Sequence, residues 1–463
     1  MLSAILVLAF PTIIEQLLQT AVQYIDTAMV GSLGTQATAA VGATTTVNWL
    51  IGSTISALGV GFLAYISQAS GAGEKENVRK AVGQAVMIVL TVGIFFTILT
   101  VSLSNVIPVW MQVDENIRDL ASGYFRILYL PMLFRTANIV FGTILRAAGD
   151  TKTPMHVGAA MNIINTALNF LLIYPTRIIT IPIKILIPII PESVKEISFT
   201  IAGAGLGIQG AAAASAISYT FGGIAMTVML WRHSEISPRG QSIRPDLSVL
   251  KPCLRVAFPN MLQRFATSLG YVAFAAMINS LGETAAAAHT IANTVESAFY
   301  IPGYGMQTAA ATLSGNAWGA RNQKQLRQLA GTILPLEITL MIGSGGLLFL
   351  FAPELMRIFS EDTEVISLGT TVLRMVAVSE PFYGVPIVIE GMMQGLGRTV
   401  APFVYNVLGM WCIRIVGTFV CTQILGYGLI SAWACMIAHN LLLFILFTCH
   451  YASGRWKPAE EQV

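Results

Sequence analysis

Two rows of polar side chains lie inside segments that are otherwise apolar. The members of each row are three or four residues apart, so each row occupies one face of a helix. The first row is Glu15, Gln19, Gln23 and Asp26, and the second is Asn162, Asn165 and Asn169. Carboxylates bind protons or cations, and amides both accept and donate hydrogen bonds. The rows predict a proton or cation site inside a helical bundle, with interhelical packing as the alternative role of the asparagines.

The two carboxylates of the first row allow different roles. Asp26 is either part of this site or a solvated group at the outer end of its helix. Glu15 lies deeper in the apolar segment. There it is either functional or a structural partner of a basic or amide group.

The second half of the chain has its own polar residues within apolar segments. These candidates for a cavity lining or a second ion site are Gln263, Arg264, Glu296, Glu380 and Glu390. Arg264 and Glu296 could form a buried pair, because each charge needs compensation inside a membrane. His289 is interpreted as a hydrogen-bonded structural residue.

Sequence motifs for enzymatic chemistry are missing. The chain has no Gly-x-x-x-x-Gly-Lys-Ser/Thr loop, no His-Glu-x-x-His helix and no Gly-x-Ser-x-Gly elbow. We therefore expect no enzyme and no bound cofactor, and an ion gradient remains as the energy source for any transport.

Composition indicates an integral membrane protein. The 463 residues are 55% hydrophobic and 11% charged, against about 25% charged residues in soluble domains. Apolar runs near the ~20 residues needed to cross a bilayer recur along the chain. They predict about twelve helical spans: 2–31, 37–70, 82–110, 117–146, 154–175, 203–232, 250–280, 285–316, 327–353, 364–394, 400–424 and 428–451. The net charge of +3 gives no indication of a nucleic-acid partner.

The chain contains an internal repeat. Residues 11–80 and 259–328 share 15 identities at a constant offset of 248, and Gly149, Thr151 and Pro154 match Gly397, Thr399 and Pro402 at the same offset. The polar stretch 233–249 joins the halves, so we predict one lobe at 1–232 and a second at 250–463. Residues 176–202 are predicted to be an extended loop or hairpin on the far face.

Basic residues mark one side of the membrane. They cluster on alternate connections, for example at Lys75, Arg79 and Lys80 and again at Arg321, Lys324 and Arg327. The positive-inside rule places these connections and both termini in the cytoplasm. Because both halves have the same bias, we predict six spans in each half, related by an axis along the membrane normal, with a cavity between them.

Three stretches of sequence resemble the multidrug and toxic compound extrusion (MATE) family. They are the first helix with Pro11, Asp26-Thr27 and Met29-Val30-Gly31; the loop Leu145-Arg146-Ala147-Ala148-Gly149-Asp150-Thr151; and the region from Leu281-Gly282 through Glu296-Ser297 to Gly319-Ala320. The resemblance covers nearly the whole chain. It implies an all-α integral membrane protein with about twelve transmembrane helices, in two pseudo-symmetric six-helix lobes around a central V-shaped cavity.

The resemblance also implies a function and a site. The function is export of amphipathic, often cationic drugs or toxins in exchange for H⁺ or Na⁺. The implied coupling site is Asp26 with Asn165, Asn169 and Ser215, and Na⁺ would bind at the first three. The family has Asp at the position of Asn169, which puts sodium affinity in doubt. The carboxylate that several members have early in helix seven is missing between Pro259 and Thr267, unless Glu380 or Glu390 replaces it.

Two other classes of transporter have features that differ from those of this sequence. A lipid-linked precursor flippase of the same superfamily usually has about fourteen spans and a basic cavity for phosphate. A major facilitator carrier needs a Gly-x-x-x-Asp-Arg-x-Gly-Arg-Arg loop, which the segment 71–76 does not match. We expect a monomer in the plasma membrane, with small organic substrates and membrane lipids as its partners.

Overall fold

The computed structural model describes residues 1–111, 113–182 and 196–457. Long helices dominate it, and one β-hairpin interrupts them. The elements of the first half are α1 (Leu2–Gly31), α2 (Thr35–Gly71), α3 (Lys75–Ser102), α4 (Ile107–Trp110), α5 (Glu115–Tyr129), α6 (Met132–Ala147), α7 (Lys152–Leu172), β1 (Pro175–Pro182), β2 (Glu196–Ala204) and α8 (Gly207–Arg232). Those of the second half are α9 (Leu247–Asn279), α10 (Glu283–Phe299), α11 (Ile301–Gly319), α12 (Gln323–Phe359), α13 (Thr363–Gly395), α14 (Val400–Ile424) and α15 (Leu429–Ala452).

Ten helices of the described chain are long and apolar enough to cross a membrane, and an eleventh span results if α5 and α6 count as one. The predicted single span 117–146 is wrong in detail, because α5 and α6 meet at an angle of 49°. Pro131 lies at this break, where it has no N–H to continue the helix. The predicted span 285–316 is likewise divided at Tyr300, just before Pro302 in the first turn of α11.

Two further sequence predictions concern helix ends and regularity. The predicted span 82–110 ends as a long helix at Ser102 and is followed by the short α4. The predicted span 400–424 is continuous, but Gly409–Ile415 and Val420–Ile424 are wound as π-helix. Prolines do not break every helix, since Pro11 lies inside α1. Neighbouring helices in a membrane protein can satisfy the backbone groups that such a proline frees.

Two connections predicted from the sequence, 176–202 and 233–249, lie wholly or partly within the described residues. The hairpin predicted within 176–202 is present as antiparallel β1 and β2, in which Pro182 lies opposite Glu196; residues 183–195 fall outside the described chain. The polar stretch 233–249 packs on α3, where Gln84 Nε2 donates to the Arg244 carbonyl at 2.8 Å and the Asp246 N–H donates back to Gln84 Oε1 at 2.9 Å. The lobe boundary at this stretch stays a prediction.

Buried apolar side chains form one large cluster mostly in the first half, two mostly in the second half, and a small one of Val60, Ala64 and Val256 between them. The beginning of α1 departs from this division. Ile5, Leu8 and Ala9 are buried in a cluster that otherwise consists of second-half residues such as Met306. The first helix therefore contributes to the packing of both halves.

The two halves approach closely where α2 crosses α11. A Cβ atom on Gly71 would lie 2.0 Å from the carbonyl oxygen of Asn316, and one on Gly319 would lie 1.8 Å from that of Gln68. Both distances are far below van der Waals contact. The offset of 248 relates Gly71 to Gly319 and Gln68 to Asn316. The crossing is therefore symmetric, and it requires glycine on both sides.

An ion pair joins α1 to α6 within the first half. Arg146 Nη2 donates to both carboxylate oxygens of Glu15, at 2.6 and 2.7 Å. Only 5% of the Glu15 side chain and 16% of the Arg146 side chain are exposed. The structure thus gives Glu15 the basic partner that the structural one of its two predicted roles requires.

This pair yields a prediction about stability. Glu15→Ala should lower the free energy of unfolding by about 3–5 kcal/mol, because it leaves a buried guanidinium unpaired. The double variant Glu15→Gln/Arg146→Gln, which removes both charges, should lose less. Thermal unfolding of the purified protein in detergent measures both effects. A single variant as stable as the wild type, or a double variant that is less stable than the single, would contradict this role.

Candidate functional site

The side chains implied as a coupling site lie together between α1, α7 and α8. Asn169 Nδ2 donates to Asp26 Oδ1 at 2.5 Å. The amide of Asn165 is oriented so that its Nδ2 donates to the two carboxylate oxygens of Asp26, at 2.9 and 3.1 Å. Its Oδ1 then accepts from Ser215 Oγ at 3.2 Å. Asn165 and Asn169 are buried, and Asp26 is half-buried. We call these four residues the Asp26 site.

The donor set of this site suits a proton or a hard cation. Asp26 forms no ion pair with a basic side chain within the described residues. Asn169 Oδ1 is buried and accepts no hydrogen bond there, although such an atom normally has a partner. Carboxylate, amide and hydroxyl oxygens are ligands for hard cations. No group of three or more His, Cys, Asp or Glu residues that could hold a metal ion occurs in the described chain.

The other members of the two polar rows lie apart from this site. Gln19 and Gln23 expose their side chains. Asn162 is half-buried, and its Nδ2 has no hydrogen-bond partner. Glu15 is held by Arg146, as described above. One helical face therefore contains a structural ion pair, two exposed amides and one member of a candidate ion site.

A second polar cluster surrounds Glu390 in the second half. Its carboxylate accepts hydrogen bonds from three side-chain amides: Gln263 Nε2 at 2.9 Å, Gln394 Nε2 at 3.0 Å and Asn406 Nδ2 at 3.2 Å. Under the offset of 248, Gln263 corresponds to Glu15 and Gln394 to Arg146. The two halves thus place different polar groups at equivalent positions.

The buried pair suggested between Arg264 and Glu296 is not formed. Arg264 Nε donates instead to Asn260 Oδ1 at 2.9 Å, one turn back on α9. The positive charge that acts on Glu296 is that of Arg414, whose guanidinium lies 4.3 Å from the ring centre of Phe274. Aromatic faces as well as a carboxylate therefore surround this arginine, which sequence spacing alone does not reveal.

Glu337 and a group of three tyrosines in the second half were not predicted from the sequence. Glu337 on α12 is fully buried beside Glu380, and none of their four carboxylate oxygens has a hydrogen-bond partner. A lone carboxylate in an apolar span was the available signal. The three tyrosines, Tyr300, Tyr304 and Tyr383, are in mutual contact. The regular spacing of Glu296, Tyr300 and Tyr304, four residues apart, was their signal.

The chain is similar over nearly its whole length to proteins named for multidrug resistance. The probable multidrug resistance protein NorM of Thermotoga maritima is 27% identical over 450 residues, covering 97% of this chain and 92% of the relative. The probable multidrug resistance protein YpnP of Bacillus subtilis is 23% identical over 467 residues, covering 98% and 96%.

Solved structures share the fold. An outward-facing multidrug resistance MATE family transporter of the MOP superfamily superposes with a TM-score of 0.85 at 23% identity, covering 98% of this chain and 95% of that chain. A MOP superfamily transporter from Pyrococcus furiosus, described for the reverse polarity of its binding pocket, gives the same TM-score, identity and coverage. The predicted fold class, an all-α integral membrane protein with about twelve transmembrane helices, is confirmed.

The profile of the MatE family matches residues 11–171 and 259–420. The matched ranges make up more than half of the chain, and one lies in each half of the internal repeat. The chain therefore belongs to the MatE family of membrane transporters.

Proposed function

We propose that this protein is a secondary active antiporter that exports amphipathic, often cationic organic compounds in exchange for H⁺ or Na⁺. The observation that carries the proposal is the Asp26 site, in which side-chain amides rather than a basic side chain surround one half-buried carboxylate. The names of the relatives as probable multidrug resistance proteins support the choice of substrates. The protein acts in the plasma membrane with both termini in the cytoplasm, as the distribution of basic residues predicts.

The site suggests how an ion drives export. Ionised Asp26 accepts hydrogen bonds from Asn165 and Asn169, which ties α1 to α7. A proton or Na⁺ on the carboxylate competes with these amide donors and loosens that tie. The ion and the organic substrate then stabilise different states of one conformational equilibrium, which is the condition for exchange. The half-buried position lets the carboxylate take up its ion from water, and the flanking amides keep it in place.

The first prediction concerns coupling. Asp26→Asn should abolish gradient-driven efflux of a lipophilic cation such as ethidium, because an amide can neither gain a proton nor neutralise Na⁺. Proteoliposomes with a pH gradient or a Na⁺ gradient imposed separately measure this, and the gradient that works identifies the ion. Asp119→Asn is the matched control, since it makes the same change at an exposed carboxylate on α5, and it should transport like the wild type.

Each outcome of that experiment has a meaning. Full gradient-driven efflux by Asp26→Asn would overturn the assignment of Asp26. A wild type that exports no cation under either gradient would argue against an antiporter. Lipid-linked precursors would then be tested as substrates of a flippase.

The second prediction concerns ion choice. Asn169→Asp places a second carboxylate beside Asp26, which should raise the affinity for Na⁺ by about tenfold or more, since two negative charges attract one cation more strongly than one. Binding of radioactive sodium to the purified protein measures this affinity. Asn162→Asp, on the same helix but outside the Asp26 site, is the control. Equal sodium affinities in Asn169→Asp and the wild type would exclude Asn169 from the ion site.

A further inference from the structure

Three tyrosines pack together in the second half of the molecule. The rings of Tyr300 and Tyr304 meet edge to face with their centres 5.6 Å apart, and those of Tyr300 and Tyr383 do the same at 5.6 Å. The hydroxyl groups of Tyr304 and Tyr383 lie 3.3 Å apart. Tyr304 still exposes 37% of its surface. The cluster therefore presents aromatic surface that no other side chain of the described residues covers.

Charged residues surround this tyrosine cluster. Glu296 and Glu380 act electrostatically on Tyr300, and Arg264 and Glu390 act on Tyr304. These charges come from α9, α10 and α13, so three helices besides α11 contribute charged groups to the surroundings of the cluster. Both nearby arginines have other contacts: Arg264 donates to Asn260, and Arg414 lies over Phe274 and Tyr271.

The first half offers an internal comparison at equivalent positions. Under the offset of 248, Tyr383 corresponds to Arg135, Glu296 to Asn48 and Tyr300 to Gly52. The correspondence holds in space, because a Cβ atom on Gly52 would lie 3.5 Å from Arg135 Nη2, as Tyr300 contacts Tyr383. Each half therefore brings the same pair of helix positions together.

In the first half, the position equivalent to Tyr383 holds a positively charged side chain. The guanidinium of Arg135 lies 4.9 Å from the ring centre of Tyr219 and 5.9 Å from that of Tyr129, and its Nη1 donates to Asn48 Oδ1. The second half has a tyrosine in place of this arginine and a carboxylate in place of the neutral asparagine. It thus has aromatic rings and a negative charge where the first half has the positive charge.

We propose that Tyr300, Tyr304, Tyr383 and Glu296 form a binding subsite for the ammonium or other cationic group of an organic substrate. Aromatic faces attract such a group through their quadrupole, more strongly where water is excluded. Glu296 supplies the opposite charge that a buried cation requires. The inference builds on the proposed function, to which it adds where in the protein the positive charge of the substrate is bound.

Equilibrium binding of radiolabelled tetraethylammonium to the purified protein tests the subsite. The double variant Tyr383→Arg/Glu296→Asn gives the second half the residues of Arg135 and Asn48. It should lower the affinity about tenfold or more, because the new guanidinium occupies the rings and repels the ligand. Tyr427→Phe, at an exposed tyrosine outside the subsite, is the control and should stay within about threefold of the wild type.

The outcomes separate the subsite from the antiport mechanism. Binding needs no ion gradient, so weaker binding by the double variant supports the subsite whatever the gradient experiment shows. A wild type that does not bind tetraethylammonium, or a double variant that binds it as tightly as the wild type, would overturn the subsite. Thermal unfolding and gel filtration check that the variants fold. If the double variant does not fold, Tyr300→Leu replaces it, with the same loss of affinity expected and unchanged affinity overturning the proposal.

Discussion

A charge among membrane-spanning helices is costly unless it is compensated, and this constraint explains the contacts of the two carboxylates of α1. Arg146 compensates Glu15 with a direct ion pair, which leaves neither group free to change partners. Among the described residues, the amides of Asn165 and Asn169 rather than a basic side chain compensate Asp26. Amides stabilise a carboxylate without neutralising it. In the proposed function the two carboxylates of α1 therefore have opposite tasks, one holding the fold and one exchanging an ion.

The repeat shows how two similar halves came to differ. Four equivalent positions hold Glu15, Gly142, Arg146 and Gly158 in the first half and Gln263, Glu390, Gln394 and Asn406 in the second. In the first half the space beside Gly158 is filled by Glu15. In the second half Asn406 occupies this space and donates to Glu390. The second half thus has a network of amides around one carboxylate at the positions that hold the ion pair in the first half.

Symmetry is retained at the crossing of α2 and α11 and lost at other equivalent positions. At the crossing of α2 and α11, any side chain on Gly71 or Gly319 would collide with a carbonyl group of the other half. Away from this crossing, equivalent positions hold Arg135 in one half and Tyr383 in the other. Close packing restricts the residue type at the crossing, whereas the positions of Arg135 and Tyr383 accommodate a charge in one half and an aromatic ring in the other.

Much of this architecture followed from the sequence alone. Apolar runs indicated about how many helices cross the membrane, and the constant offset indicated two similar halves. The spacing of Asp26 within its row, and of Asn165 and Asn169 within theirs, indicated the polar helix faces. Such signals can be found in the sequence because they depend on local chain geometry or on repetition. Proline breaks were less predictable, since Pro11 is accommodated inside α1 whereas Pro131 and Pro302 accompany helix breaks. The difference depends on which neighbouring helix can satisfy the freed backbone groups.

The tertiary structure alone decided which polar groups meet. Glu15 and Arg146 are 131 residues apart, and Asp26 and Asn169 are 143 apart. A helical face shows that a polar residue needs a partner, but not which one. Arg264 illustrates the limit, because it binds Asn260 on its own helix rather than Glu296. Partner choice depends on how helices cross and rotate, and that is set by the packing of the whole bundle.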